Sequence, residues 1–256
     1  MYSIEASCSC SIGRVRQNNE DNIYFNGKIL DTDNEGLSNA ISMSKKMTHR
    51  ICFAIFDGMG GEEDGEIASF TAANQLSIDI NTEEMSRKTI FNFLNKSVLN
   101  MNDSICKEAQ NRNSNHMGTT VALLLFICNN VYVCNVGDSR IYRLQDNLLT
   151  QLSYDHVEKL PKNIELERKR KPRLTQNLGI SPEELQIEPY INRFDTQEGD
   201  KYLICSDGIT DMLSNAEIFT IMSNTKSVKR CSNKLVAAAL KNGGRDNATA
   251  IVVYVK

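Results

Sequence analysis

Short apolar segments, grouped in blocks along the chain, constrain the fold of this protein more than any other feature of its sequence. Runs of this length, rich in β-branched and aromatic residues, are typical of buried β-strands. They comprise residues 23–25, 51–56, 119–127, 131–136, 141–144, 202–205 and 248–255. Asn129-Asn130 and Asp146-Asn147 separate neighbouring runs so tightly that they predict antiparallel hairpins. Strands in blocks, rather than strands alternating with helices, favour an α+β sandwich over a doubly wound parallel sheet.

Three other segments are predicted to be helices. Two of them carry apolar residues at intervals of three or four, as an amphipathic helix requires. The first stripe is Ile90, Leu94, Val98, Met101 and Ile105, and the second is Val228, Cys231, Leu235 and Ala238. A third helix is expected from about Glu62 to Ile78. Residues 26–48 and 156–172 are polar or charged and resemble loops; for the charged segment 156–172, a solvated helix and a dedicated anion site are the alternatives. No repeat or linker interrupts the chain. We therefore predict one domain spanning residues 1–256.

Composition and charge exclude several classes of protein. The chain has 256 residues, 41% of them hydrophobic, and a formal net charge of −3, so nothing indicates a general affinity for nucleic acid or anionic membranes. Its longest apolar run, residues 121–128, is too short to span a bilayer. The first residues lack the basic and apolar pattern of a signal peptide. A cytoplasmic protein without nucleic-acid or membrane partners is expected.

The cysteines support the same compartment. There are eight, but none forms a C-x-x-C pair, and no histidine lies at zinc-ligand spacing from a cysteine pair. Most of them lie in apolar strand-like or helical runs. We interpret them as buried free thiols that act as small hydrophobic side chains, which fits a reducing environment.

Acidic residues mark the ends of several predicted strands. They are Glu20, Asp21, Asp57, Asp138, Asp207 and Asp246. One such aspartate beside a glycine is usually only a turn residue. Several at strand ends can form one acidic pocket, where two charges about 4 Å apart repel by roughly 4 kcal/mol at an effective dielectric near 20. Oxygen ligands without histidine or cysteine favour hard ions, so the pattern predicts Mg²⁺ or Mn²⁺.

The glycine-rich segment 53–66, FAIFDGMGGEEDGE, fits this interpretation. Glycine-rich loops after strands often bind phosphate through backbone N–H groups, commonly with a lysine. This segment contains no lysine or arginine but has five carboxylates. It would repel a phosphate unless a cation lay between them. We infer that the loop serves metal ions, which in turn hold a phosphate.

Seven stretches of the sequence together resemble the metal-dependent protein serine/threonine phosphatases of type 2C, the PPM family, and especially its bacterial members. In chain order they are GRVRQNNEDN (13–22), FAIFDGMGG (53–61), MGTTVALLLF (117–126), VYVCNVGDSRIYRL (131–144), LTQNLG (174–179), YLICSDGITDML (202–213) and GGRDNATAIVV (243–253). The resemblance implies a four-layer αββα sandwich, with two mainly antiparallel sheets flanked by helices. It also implies two metal ions at one end of the sandwich.

Site residues carry over from the family one at a time. Asp57 resembles the carboxylate that bridges both ions, and Asp207 and Asp246 resemble the other ligands of one ion. Glu20 and the backbone carbonyl of Gly58 would serve the second ion. Asp21 would act through a water instead of touching an ion. Asp138, together with Asp207, resembles the pair that holds a weaker third ion in bacterial relatives. Arg16 matches the arginine that binds the phosphate.

Two departures from the family pattern stand out. Met59 occupies the position where animal members have a histidine thought to protonate the leaving group, so the general acid is unassigned; a water on a third ion near Asp138 is the candidate. Bacterial members also carry a longer flap before the segment that matches LTQNLG. Here the flap-like segment, about 156–173, is short and basic.

The resemblance implies an enzyme that hydrolyses phosphoserine and phosphothreonine in proteins with Mg²⁺ or Mn²⁺. Its partners would be phosphoproteins and, as for many bacterial relatives, an opposing serine/threonine kinase; a monomer is expected. Two alternatives stay open. Some relatives are inactive pseudophosphatases that serve as binding modules, but here the acidic set is complete. A phosphoesterase acting on small phosphoesters is the other.

Overall fold

The computed structural model describes residues 2–59, 64–82, 89–114, 116–159 and 171–256. The strands are β1 (Ser3–Ser11), β2 (Asp21–Phe25), β3 (Ile41–Lys46), β4 (Ile51–Met59), β5 (Gly118–Thr119), β6 (Val121–Ile127), β7 (Asn130–Val136), β8 (Arg140–Gln145), β9 (Leu148–Gln151), β10 (Tyr190–Asp195), β11 (Lys201–Cys205) and β12 (Ala248–Val255). The helices in these ranges are α1 (Gly65–Thr82), α2 (Ile90–Arg112), α3 (Asp207–Thr210), α4 (Asn215–Asn224) and α5 (Val228–Lys241). Among the described residues, no helix has both the length and the apolar character needed to cross a bilayer.

The strands form two antiparallel sheets. The first has the order β3-β1-β12-β11-β8-β9, and the second has the order β10-β7-β6-β4-β2, with β5 paired to β4. Every strand pairing in these two sheets is antiparallel. The predicted α+β sandwich is therefore confirmed.

Three apolar cores separate four layers. Between the sheets, the rings of Phe53 and Tyr202 each make an edge-to-face contact with the ring of Phe126. Outside the second sheet, the apolar stripe of α2 packs with α1 against β4, β6 and β7. Outside the first sheet, α4 and α5 cover β8, β11 and β12. The order of layers is thus helix, sheet, sheet, helix, as an αββα sandwich requires.

The predicted loop at residues 26–48 is partly wrong, because it contains strand β3. This strand lies at an edge of the first sheet and pairs only with β1. Most of its side chains are exposed. Strand β10, at an edge of the second sheet, was not predicted for the same reason. Such edge strands are held by backbone hydrogen bonds to a single neighbour, and few of their side chains are buried. Their sequences therefore lack the apolar pattern by which strands are recognised.

Other predictions differ in detail. Helix α1 begins at Gly65, while the earlier start predicted near Glu62 falls in residues 60–63, outside the described residues. Six cysteines are buried as expected, and Cys106 is partly buried. Cys128 is exposed, which corrects the interpretation of that thiol. Its φ of 55° shows that it belongs to the tight turn between β6 and β7, which lies at the surface.

Candidate metal centre

The second sheet brings two predicted site residues to one rim. Strands β2 and β4 pair so that Asp21 lies directly opposite Asp57. The backbone N–H of Gly58 donates to the carbonyl of Glu20 (3.0 Å), which continues the pairing by one residue before the start of β2. The backbone N–H of Asp57 donates to Thr120 Oγ1 (3.1 Å), and Thr120 N–H donates to the Asp57 carbonyl (2.9 Å). Asp57 is therefore fixed from both of its neighbouring strands.

Three further acids reach the same rim from other elements. Asp138 lies in the turn where the chain leaves β7 of the second sheet and enters β8 of the first. Asp207 is the first residue of α3, directly after β11. Asp246 precedes β12, whose first residues pair with the last residues of β11 through Cys205 and Ala250. Antiparallel register thus aligns the acid-bearing ends of strands from both sheets.

Hydrogen bonds lock the two sheets together beneath these acids. Ser206 Oγ and Thr249 Oγ1 both donate to Asp21 Oδ2, at 2.8 and 2.6 Å. The backbone N–H of Glu20 donates to Asn247 Oδ1 (2.8 Å). Asp21 is buried, and its other oxygen, Oδ1, has no hydrogen-bond partner among the described residues. A buried acceptor without a partner is costly, so this oxygen remains available to a ligand of the site.

The acids line an open cleft of about 460 Å³. Of the eight predicted site residues, the structure places all but Asp21 in its lining, and Asp21 lies below it. Met59 also lines the cleft, together with four residues that were not singled out from the sequence. Those four are Thr120, Lys171, Pro172 and Leu174. The residues selected from strand ends therefore converge on one surface.

The carboxyl groups of the cleft disfavour one another's charge. Burial raises the pKa of Asp57 well above its ordinary value, and the charge of Asp207 adds to the effect. Burial, followed by the charge of Asp207, raises the pKa of Asp138 to about 6. Burial raises the pKa of Asp21 to about 7, although the hydroxyl donors of Thr249 and Ser206 oppose the shift. Such a cluster is stabilised by positive charge.

Arg16 supplies part of that charge. Its Nη2 lies 2.8 Å from Asp246 Oδ2, and its Nη1 lies 3.6 Å from Glu20 Oε2. The hydrogen bond to Asp246 raises the pKa of the Arg16 guanidinium. The side chain is still 45% exposed. Arg16 is thus held at the cleft by two predicted metal ligands while part of its fork of donors faces solvent.

Lys171 supplies the other cation, and the sequence did not identify it. Its Nζ contacts Asp207 Oδ2 and lies 3.5 Å from Asp138 Oδ2 and 3.3 Å from Asp211 Oδ2. Asp211 was also missed, although its position four residues after Asp207 places both carboxylates on one face of a helical turn. Lys171 belongs to a run of basic residues, and no periodicity distinguishes it from its neighbours.

The residues present fit divalent ions in their chemistry. Every candidate donor is an oxygen, which is what Mg²⁺ and Mn²⁺ prefer. Within the ranges that the structure describes, no three acidic, histidine or cysteine side chains converge as a ready ligand set; instead Arg16 and Lys171 pair with the acids. Gly58 permits the close approach, because a Cβ there would meet the carbonyls of Gly65 and Glu20. Any side chain at Gly58 would push these segments apart.

His156 fixes the turn that carries Asp138. The backbone N–H of Gly137 donates to His156 Nδ1 (3.2 Å), and the backbone N–H of His156 donates to the Gly137 carbonyl (3.0 Å). Burial lowers the pKa of His156. The turn that this histidine supports is the one that bears Asp138.

A second cleft, of about 580 Å³, lies at the other end of the sandwich. It is lined by the ends of β2, β6 and α1 and by the basic residues Lys45, His49 and Arg50, and none of the described residues in its lining is a carboxylate. Although this cleft is larger, it holds none of the predicted site residues. We therefore place the chemistry at the acidic rim.

Comparison with known proteins gives a consistent result. The family model described as "Protein phosphatase 2C" matches residues 37–242. The chain is 31% identical over 252 residues to the serine/threonine phosphatase stp of Listeria welshimeri, covering 94% of this chain and 92% of that protein. The solved serine/threonine phosphatase of S. agalactiae is 28% identical, with a TM-score of 0.83 and coverage of 99% of this chain and 100% of that one.

A second solved structure is the catalytic domain of the serine threonine protein phosphatase PstP in complex with two manganese ions. It is 27% identical to this chain, has a TM-score of 0.78, and covers 100% of this chain and 99% of that chain. The likeness therefore covers the whole of this chain.

Proposed function

Because the chain belongs to the protein phosphatase 2C family, we propose that its acidic cleft hydrolyses phosphoserine and phosphothreonine in proteins with two Mg²⁺ or Mn²⁺ ions. The family predicted from the sequence motifs is confirmed, and the chain is a serine/threonine protein phosphatase like the relatives it matches. The observation that carries the proposal is the convergence of carboxylates from both sheets on one cleft beside an arginine.

We assign the ion-binding roles from the family pattern and the geometry. Asp57, Asp207 and Asp246 would hold one ion, and Asp57, Glu20 and the Gly58 carbonyl would hold the other. The bound ions would supply the Lewis acidity that activates a water nucleophile at neutral pH and neutralises charge on the phosphoryl group. A third ion at Asp138 and Asp207 would have to share its place with Lys171.

Asp21 and Arg16 act on the reactants in different ways. Asp21 is buried below the cleft with one oxygen saturated by hydroxyl donors and one free, so it can orient a hydrogen-bonded water. Arg16 offers a planar fork of donors suited to two phosphate oxygens. Its exposure at the cleft allows it to bind the phosphate and to stabilise the transition state as charge moves between the oxygens.

We further propose one catalytic domain over residues 1–256 that acts as a cytoplasmic monomer on phosphoproteins, opposed by a serine/threonine kinase. The pairing of β1 with β12 supports a single unit, because the first and last strands are neighbours in one sheet. The flap-like segment at about 156–173 is described only at residues 156–159 and 171–173. These ends pair with each other, since Glu158 N–H donates to the Arg173 carbonyl (2.9 Å).

Hydrolysis of phosphothreonine and phosphoserine peptides tests the proposal. We expect phosphate release with Mn²⁺ or Mg²⁺ and none after excess EDTA, with activity restored by adding the ion back. A nucleoside monophosphate serves as a comparison substrate for the alternative of a small-molecule phosphoesterase. Full peptide hydrolysis in EDTA would contradict the metal mechanism, and a higher kcat/KM for the nucleotide would contradict the protein substrate.

A further inference from the structure

The cluster around Lys171 is unusual because one ammonium group serves three carboxylates. Its Nζ contacts Asp207 and lies within 3.5 Å of carboxylate oxygens of Asp138 and Asp211. These acids come from separate elements: the β7–β8 turn and the two ends of the α3 turn. Without a cation between them, Asp138 and Asp207 would repel each other. In the structure, the ammonium group of Lys171 is the cation that lies between these two carboxylates.

The position of Lys171 is set by the backbone that follows it. The N–H of Thr175 donates to the His156 carbonyl (2.8 Å), and the N–H of Glu158 donates to the Arg173 carbonyl (2.9 Å). Val157 and Leu174 form a β-bridge between the same two segments. Lys171 therefore stands two residues from a backbone ladder attached to His156, the residue that holds the Asp138 turn. His156 therefore contacts both the segment that follows Lys171 and the turn that carries Asp138.

We propose that Lys171 is the third cation of this centre, its ammonium occupying the place between Asp138 and Asp207 that the family resemblance gives to a weakly held third metal ion. The inference rests on the proposed two-ion phosphatase site. Asp207 uses only Oδ2 toward the lysine, which leaves its other oxygen for an ion of the pair.

Competition favours the lysine over a weakly bound ion. A tethered group has an effective concentration at its site that is roughly millimolar or higher. A divalent ion that itself binds only at such concentrations must displace the ammonium before it can bind. The wild-type chain should therefore take up two ions readily and a third only at much higher ion concentration.

Counting bound Mn²⁺ by electron paramagnetic resonance of the free ion tests this on the full chain without measuring catalysis. Lys171→Gln keeps length and polarity but removes the charge, and we expect it to lower the free Mn²⁺ needed for the third ion by about tenfold or more. Lys171→Arg keeps the charge and should titrate like the wild type. Arg173→Gln, a charge removal at an exposed position two residues away, is the matched control.

The outcomes separate the two proposals. A third step in Lys171→Gln that disappears on adding Asp138→Asn supports the assignment to this position. Superimposed third steps for Lys171→Gln and the wild type overturn it, as does an equal change in Arg173→Gln. Absence of the first two steps in the wild type instead refutes the two-ion site, and with it the inference. Lys171 is 46% exposed, so its substitution is not expected to unfold the chain.

Discussion

Asp21 and Asp57 lie directly opposite each other across the β2–β4 ladder, yet they meet different surroundings. Asp57 lines the cleft, whereas Asp21 is buried below it and accepts hydrogen bonds from Ser206 and Thr249 of the other sheet. Side chains at paired positions in an antiparallel ladder point to the same face of the sheet. The charge of Asp21 therefore helps to raise the pKa of Asp57. Their proximity to other acids makes the metal-free protein sensitive to pH.

The first prediction concerns that sensitivity. Burial raises the pKa of Asp21 to about 7, so the folded chain holds a proton that the unfolded chain has already released. The stability from this group is fully present below about pH 4 and is lost as the pH rises to about 7. In EDTA, the free energy of unfolding should fall across this window by up to about 1.4 kcal/mol per pH unit for this proton.

Urea unfolding followed by circular dichroism at several pH values measures the slope. Asp21→Asn should reduce it, because the variant carries no titrating group there, while Asp33→Asn at an exposed position should leave it unchanged. An identical slope in the wild type and Asp21→Asn would show that Asp21 is not held protonated.

The second prediction tests whether Asp207 is a metal ligand or only supports one. Asp207→Asn removes the charge of a residue that we assign as a ligand of one of the two metal ions. The same residue contacts Lys171. We expect kcat to fall by more than the roughly 10- to 100-fold typical of residues that only support a ligand. Calorimetric titration should show weakened Mn²⁺ binding in the same variant. Normal ion binding with lost activity would move Asp207 out of the ligand set.

The candidate metal ligands could be identified from the sequence because both apolar runs and the acids beside them are visible there. Apolar runs define where strands end, and acids at those ends can meet when the strands pair in sheets. The structure places Asp57, Asp138 and Asp207 in one cleft. Family motifs added the individual roles. Strand ends and family motifs are both read from short stretches of sequence, so neither requires knowledge of long-range contacts.

The parts that sequence reasoning missed depend on long-range contacts. Lys171 belongs to a charged run without a periodic pattern, and its approach to the acids depends on the backbone ladder that joins the residues after it to His156 and Glu158. Strand β3 has mostly exposed side chains, and its pairing with β1 defines it. Cys128 looked buried because it ends an apolar run, but the turn between β6 and β7 places it at the surface.

The third prediction separates phosphate binding from metal binding. Arg16→Ala should cost about 2–4 kcal/mol in transition-state stabilisation, or roughly 30- to 900-fold in kcat/KM, because a donor to the phosphoryl oxygens is lost. Ion binding should persist or strengthen, since Arg16 now pairs with Asp246 and Glu20. Arg14→Ala removes an exposed arginine two residues away and is the control. Abolished Mn²⁺ binding in Arg16→Ala would contradict this role.

The fourth prediction concerns His156. Its Nδ1 accepts the Gly137 N–H at the turn that carries Asp138. His156→Ala leaves that N–H without its partner and should destabilise the chain by about 1–3 kcal/mol. His156→Asn can present an oxygen in a similar place, so it should recover part of the stability and activity. Equal losses for the two variants, measured by urea unfolding and peptide hydrolysis, would show that the ring's packing matters and its acceptor does not.

The last prediction concerns the missing proton donor. Met59 lines the cleft but cannot donate a proton, so protonation of a serine leaving group falls to solvent or to a donor near Asp138. An aryl phosphate has a good leaving group and needs little protonation, whereas an alkyl phosphoserine needs much. Asp138→Ala should therefore lower kcat/KM more for a phosphoserine peptide than for an aryl phosphate, with the first two ions still bound. Met59→His, which adds a group titrating near neutral pH, should shift the ratio toward the peptide. Equal losses on both substrates in Asp138→Ala would mean that Asp138 supports the ions and Lys171 in general and does not assist the leaving group.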